Sequence, residues 1–151
     1  MLYFESTGYR TRAVCKDAVV WFVDNYLPRY KLDIEVHHRG LKREGVQGWC
    51  NIEGDTYRPR SFFIEIHNRL NMEDYLLTLF HELTHVKQYV KGELKSRRSH
   101  KYWKDEDISN IEYDDDPSEV EARDMEEILY CKYMNISVRN FFSNRLTDSS
   151  K

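Results

Sequence analysis

The stretch "NMEDYLLTLFHELTHVKQYVKG", residues 71–92, decides how this chain is read. Asn71 has the character of a helix N-cap, and Glu73 and Asp74 follow in the first turn, where the helix dipole favours anions. Gly92 supplies a stop, so the spacing predicts a helix from Met72 to Val90. On a wheel of about 100° per residue, Leu76, Leu79, Phe80, Leu83, Val86 and Val90 form one continuous apolar stripe. His81 and His85 fall on the opposite side with Leu77 beside them, so the helix has a core face and a second, partly apolar face that bears two imidazoles.

Imidazoles four residues apart are neighbours on a helix surface and can aim their nitrogens at one ion. Zn²⁺ accepts nitrogen ligands at about 2.0–2.1 Å, and its catalytic sites use three protein ligands plus water. Glu82 lies close enough to take a proton from that water without being a ligand. His81, Glu82 and His85 therefore offer two ligands and a general base, the arrangement that H-E-x-x-H supplies when it lies on a helix. The chemistry to expect is zinc-dependent hydrolysis of a peptide bond in a protein or peptide substrate.

Working outward, residues 11–27 keep Val14, Ala18, Trp21 and Phe22 at helical intervals before Pro28. "KLDIEVHHRG" alternates Leu32, Ile34 and Val36 against charged neighbours, as a half-buried strand does. "GVQGWCNIEGDTYRPR" holds a second short strand, and "SFFIEIHN" a third, with Phe62, Ile64 and Ile66 on one face. Three strands at this spacing predict a small, mostly antiparallel sheet. Downstream, a basic run ("KGELKSRRSHKYWK") and an acidic one ("DEDISNIEYDDDPSEVE") lack a clean period, so 92–116 reads as a long loop excursion. Asp116 and Pro117 restart a helix as cap and first residue, and it continues to about Met134. "SVRNFFSNRL" is a last amphipathic piece that would pack Val138, Phe141 and Phe142, and residues 147–151 read as a frayed polar tail. The expected architecture is a single α+β domain over 1–146.

The bulk numbers agree with a globular chain. Its 151 residues suffice for one core, and 32% charged residues imply a dense ionic surface. A net charge of −3 points to no particular partner. Cys15, Cys50 and Cys131 are odd in number and widely spaced, which argues for a reducing compartment and for small packing residues rather than a disulfide framework. No apolar run is long enough for a membrane span, and the start lacks the basic head and apolar stretch of a signal peptide. The expected location is the cytoplasm, that of the host if the chain is phage-encoded.

"HELTHVKQY", followed some thirty residues later by "PSEVEA" at the head of a helix, resembles the minimal gluzincin arrangement of small H-E-x-x-H metallopeptidases found in phage and bacterial genomes. The resemblance covers roughly 75–130. It implies a zincin-like fold, with a sheet above the active-site helix and a glutamate of an E-x-x-A segment as third ligand. By that register Glu119 is the ligand, and Ala122 is the small residue that lets two helices approach. Many such families place an aspartate after the alanine to orient a ligand histidine; Arg123 stands here instead. Periodicity favours Glu121, which sits nearer the stripe of Met125, Ile128 and Leu129, so Glu121 is the alternate ligand.

His100 marks a second resemblance, to SprT-like proteases that cut DNA–protein crosslinks, and would then be the third ligand. The basic residues from Lys91 to Lys104, interleaved with Tyr102 and Trp103, would suit nucleic acid in that case, although a solvated loop accounts for them more simply. A third possibility is a metal-binding regulatory or interaction module without turnover. His37, His38 and His67 read as structural, Glu65 as a sheet-surface residue, and Tyr102 or Tyr113 as minor candidates for an oxyanion donor.

Overall fold

A computed structural model describes residues 1–8, 12–137 and 141. The chain opens with strand β1 (Leu2–Thr7), helix α1 (Arg12–Tyr26) and strand β2 (Leu32–Arg39). Strands β3 (Gly48–Glu53) and β4 (Ser61–His67) follow, then helix α2 (Met72–Val90). Three short strands come next, β5 (Leu94–Arg97), β6 (His100–Trp103) and β7 (Glu106–Asp107), and helix α3 (Pro117–Met134) ends the described elements.

The main sheet has strand order β1-β2-β4-β3. It corrects the expectation of a mostly antiparallel sheet, because β1 and β4 both run parallel to β2 and only β3 is antiparallel to its neighbour β4. The physical reason lies in the connections. A helix separates β1 from β2, and such a crossover brings the chain back in the same direction. β3 then goes to the edge, and β4 turns back to fill the place between it and β2. β1 itself was not anticipated; its burial alternates along "LYFEST", with Leu2, Phe4 and Ser6 on the half-buried side.

One face of this sheet carries the core. Leu32, Ile34, Val36, Phe62, Ile64 and Ile66 are all buried on it and pack with Ala18, Val19 and Phe22 of α1 and Leu76, Leu79, Phe80 and Leu83 of α2. α2 is buried on nearly every side, Thr84 and Gln88 included, since α3 lies against its other flank. The side chains expected to form the second face of α2 are thus covered by protein and line a cleft.

The excursion expected over 92–116 is built differently. β5, β6 and β7 form an antiparallel three-stranded sheet with two tight turns. Arg98, Ser99, Lys104 and Asp105 at those turns all have positive φ, between 47° and 71°, as two-residue hairpin loops require. The turns carry Arg-Ser and Lys-Asp where glycine or asparagine is usual, so nothing in their composition announced them. The expected helix over "SVRNFFSNRL" and the tail 147–151 lie outside the described residues apart from Ser137 and Phe141, of which Phe141 is buried against Leu77 and Cys131.

Candidate metal centre

Both helices that bear the site are capped as their sequences dictate. The Asn71 side chain accepts from the Asp74 amide at 2.8 Å and starts α2. Asp116 accepts from the Ser118 amide at 2.9 Å and from its hydroxyl at 2.6 Å, and Pro117 takes the first turn of α3. Lys101 of β6 donates to the other Asp116 oxygen at 2.6 Å, so the hairpin braces the start of α3. Glu119 follows in that first turn.

The two helices bring His81, His85 and Glu119 together, with their candidate ligand atoms within 4.8 Å of one another. His81 Nε2 lies 3.0 Å from Glu119 Oε2, and His85 Nε2 lies 3.1 Å from Oε1. The imidazole planes are 79° apart, with ring centroids separated by 5.0 Å. Each Nδ1 is occupied elsewhere: His81 Nδ1 is 2.7 Å from Glu126 Oε2, and His85 Nδ1 is 2.8 Å from Gln88 Oε1. Acceptors there select the Nδ1–H form and leave Nε2 to bind. Gln88 is fully buried, and its Nε2 donates to the Ser118 carbonyl at 3.0 Å and to Glu121 at 3.2 Å, tying α2 to α3 beside the cluster.

The donor set fits a cation. Two imidazole nitrogens and a carboxylate, half-enclosed and facing one point, could hold a metal ion. Hydrogen bonds draw the same three groups together. Burial opposes a charged His81, but the Glu119 and Glu126 carboxylates outweigh it and raise its pKa to about 10. Burial likewise pushes Glu119 up, yet the hydrogen bonds of both histidines hold it well below the ordinary carboxylate range. Glu82 is 7% exposed; burial raises its pKa, and the two histidines work against that shift.

A cleft of about 810 Å³ runs past the cluster between α2, α3 and the edge strand β3. Gly48 sets the approach on the strand side. A Cβ there would lie 2.9 Å from Thr78 Cγ2 and 3.3 Å from Glu82 Oε1, so only glycine lets β3 settle onto α2 at the candidate base.

The remaining expected residues sort clearly. Glu121 is engaged by Lys87 at 3.4 Å and by Gln88, and is not part of the cluster. Ala122 is fully buried one turn beyond Ser118. His100 stands on β6, half-exposed, with Nδ1 3.3 Å from Asp107 and from the Ser109 hydroxyl; it is absent from the cluster. The basic segment is largely spent internally: Lys95 pairs with Asp105 at 2.9 Å, Lys101 with Asp116, and Arg97 lies over the Tyr57 ring. Tyr113 lines the cleft, whereas Tyr102 does not. Cys15 and Cys131 are buried packing residues, but Cys50 lines the cleft, where burial and the nearby Glu82 and Glu119 charges push its thiol well above its usual pKa. His38 is bound by the Thr7 carbonyl and the Tyr75 hydroxyl, each at 2.8 Å, His67 accepts from the Leu41 amide, and Glu65 pairs with Arg39.

Sequence reasoning missed Glu126, Gln88 and Gly48. Glu126 could have been found, since it stands two helical turns after Glu119 and so shares its face. No protein-family model, curated protein or solved structure matches the chain. Among the described residues no helix is long and apolar enough to cross a membrane.

Proposed function

We propose that the chain is a zinc-dependent peptidase of the gluzincin kind, with His81, His85 and Glu119 as ligands and Glu82 as general base. The observation that carries this reading is the convergence of two Nε2 atoms on the two oxygens of Glu119, beside a cleft that also holds Glu82. Bound zinc would lower the pKa of water at the site and polarise the scissile carbonyl. Glu82 takes the proton from the attacking water and passes it to the leaving amine. Its raised pKa helps the first step, because a carboxylate that holds a proton more tightly is the stronger base toward water. Glu126 and Gln88 hold the imidazoles in one tautomer and one orientation. The free edge of β3 offers backbone donors and acceptors to an extended substrate, which would add a strand to the sheet.

The test compares wild type with Glu82→Gln in zinc content and in turnover of a peptide panel, with and without chelator. One zinc per chain in both proteins, with turnover in wild type only, supports the reading. Equal turnover in the variant would sink the role of Glu82. Stoichiometric zinc with no turnover in wild type would leave a metal-binding module.

A further inference from the structure

Arg123 is a charged cleft residue to which the peptidase reading gives no task. Arg123 lies one helical turn after Glu119, and both line the cleft. The cleft also holds Asp74, Glu82, Glu119 and Glu126, yet among the described residues none of these carboxylates forms an ion pair with Arg123. The other basic side chain of the lining, Lys101, is committed to Asp116 at 2.6 Å.

Arg123 is held in place without being neutralised. Its Nη2 donates to the Asp114 carbonyl at 2.9 Å, and its guanidinium lies 5.3 Å from the centre of the Tyr113 ring. Nη1 is buried and, among the described residues, meets no hydrogen-bond acceptor. An unsatisfied charged donor is costly, and such a cost is tolerated where a ligand supplies the acceptor. Tyr113, which lies against the guanidinium, is 60% exposed, lines the cleft, and interacts through its side chain with both Arg123 and Glu119.

We propose that Arg123 is a substrate-binding residue that receives a carboxylate of the peptide next to the scissile bond, with Tyr113 flanking it. A guanidinium fixed at one nitrogen presents its remaining N–H groups in a fork that matches a carboxylate better than a single carbonyl. That carboxylate is either the C-terminus of a short peptide or an acidic side chain within a longer one. The inference rests on the peptidase reading, because zinc and the cleft define where the peptide lies.

The experiment uses three peptide hydroxamates with the full, zinc-loaded chain. The hydroxamate anchors each probe at the metal; one probe ends in a free carboxylate, one in the corresponding amide, and one in the amide with a glutamate side chain. Wild type should bind at least one carboxylate probe about tenfold or more tightly than the plain amide, the worth of one charge-assisted pair. Which carboxylate wins distinguishes a peptide end from an acidic side chain. Arg123→Gln should abolish the preference while keeping zinc content and the affinity for the amide, and Arg123→Lys should restore part of it. Equal affinities for all three probes in wild type, or a preference that survives in Arg123→Gln, would overturn the assignment while leaving the peptidase reading intact. Failure of all three to bind the zinc-loaded chain would overturn that reading and this inference with it.

Discussion

Glu126 and Gln88 decide which nitrogen of each histidine faces Glu119. With an acceptor at 2.7 Å from His81 Nδ1 and at 2.8 Å from His85 Nδ1, both rings are fixed with Nε2 inward. Removing such a partner typically costs about 10–100-fold in metal affinity. Glu126→Ala and Gln88→Ala should each weaken zinc binding by about that factor, measured by competition with a chelating dye; unchanged affinity in both would mean the rings orient themselves. The same contacts predict a pH dependence for the metal-free protein. A His81 pKa raised from 6.5 to about 10 in the fold contributes stability that is complete below pH 6.5 and is lost as pH climbs toward 10. The slope should be about 1.4 kcal/mol per pH unit. It is best read between pH 7 and 8, before ionisation of the buried thiols adds to it. Denaturant unfolding should show this slope in the chelated protein and lose it in His81→Ala. A level profile in the chelated protein would contradict the charged His81 pair.

At the scale of elements, the helices were readable and the sheets only half so. α2 and α3 could be placed from Asn71, Gly92, Asp116 and Pro117, because capping is a local code written in the residues that use it. The polarity of the main sheet is not local. It depends on β4 inserting between β2 and β3, and alternation within a strand is the same whichever way its neighbour runs. Nor did the helical wheel choose the right glutamate for the cluster. Glu121 nearer the apolar stripe is used by Lys87 and Gln88, while Glu119 stands at the flank where the interhelix contact opens into the cleft. The two hairpin turns and the approach of β3 give testable consequences. Ser99 has φ of 68°, where a side chain costs about 1 kcal/mol, so Ser99→Gly should raise the unfolding midpoint; a lowered midpoint would contradict the turn geometry. Gly48→Ala should act oppositely, because its Cβ meets Thr78 Cγ2 at 2.9 Å and Glu65 O at 3.1 Å. Overpacking of this kind costs about 1–3 kcal/mol, and displacement of β3 from Glu82 should lower turnover further; neutral stability and turnover together would show that the strand does not rest on α2 as described.

Across the whole molecule, the cluster depends on parts that never touch it. α1 and the sheet hold α2 from one side through the core, which sets the two histidines. The third member comes from a helix separated from the end of α2 by the twenty-six residues 91–116, which include the small hairpin sheet. Lys101 connects them: it donates at 2.6 Å to Asp116, and Asp116 in turn caps the turn that carries Glu119. The hairpin is therefore a strut for Glu119, and His100, the neighbour of Lys101 on the same strand, stands apart from the cluster beside Asp107. Lys101→Met should let the start of α3 loosen and weaken zinc binding, while His100→Ala should leave it unchanged. The size of the first effect is bounded by a pair whose lysine is one-third exposed, so a loss of severalfold is expected rather than the collapse that Glu119→Ala should produce. All three variants belong in one chelator-competition series, with far-UV dichroism to confirm that each is folded. Collapse of affinity at His100 would remove Glu119 from the site and make the basic hairpin a candidate nucleic-acid contact. Wild-type affinity at Lys101→Met would show that α2 and Gln88 alone hold Glu119 in reach of the two histidines.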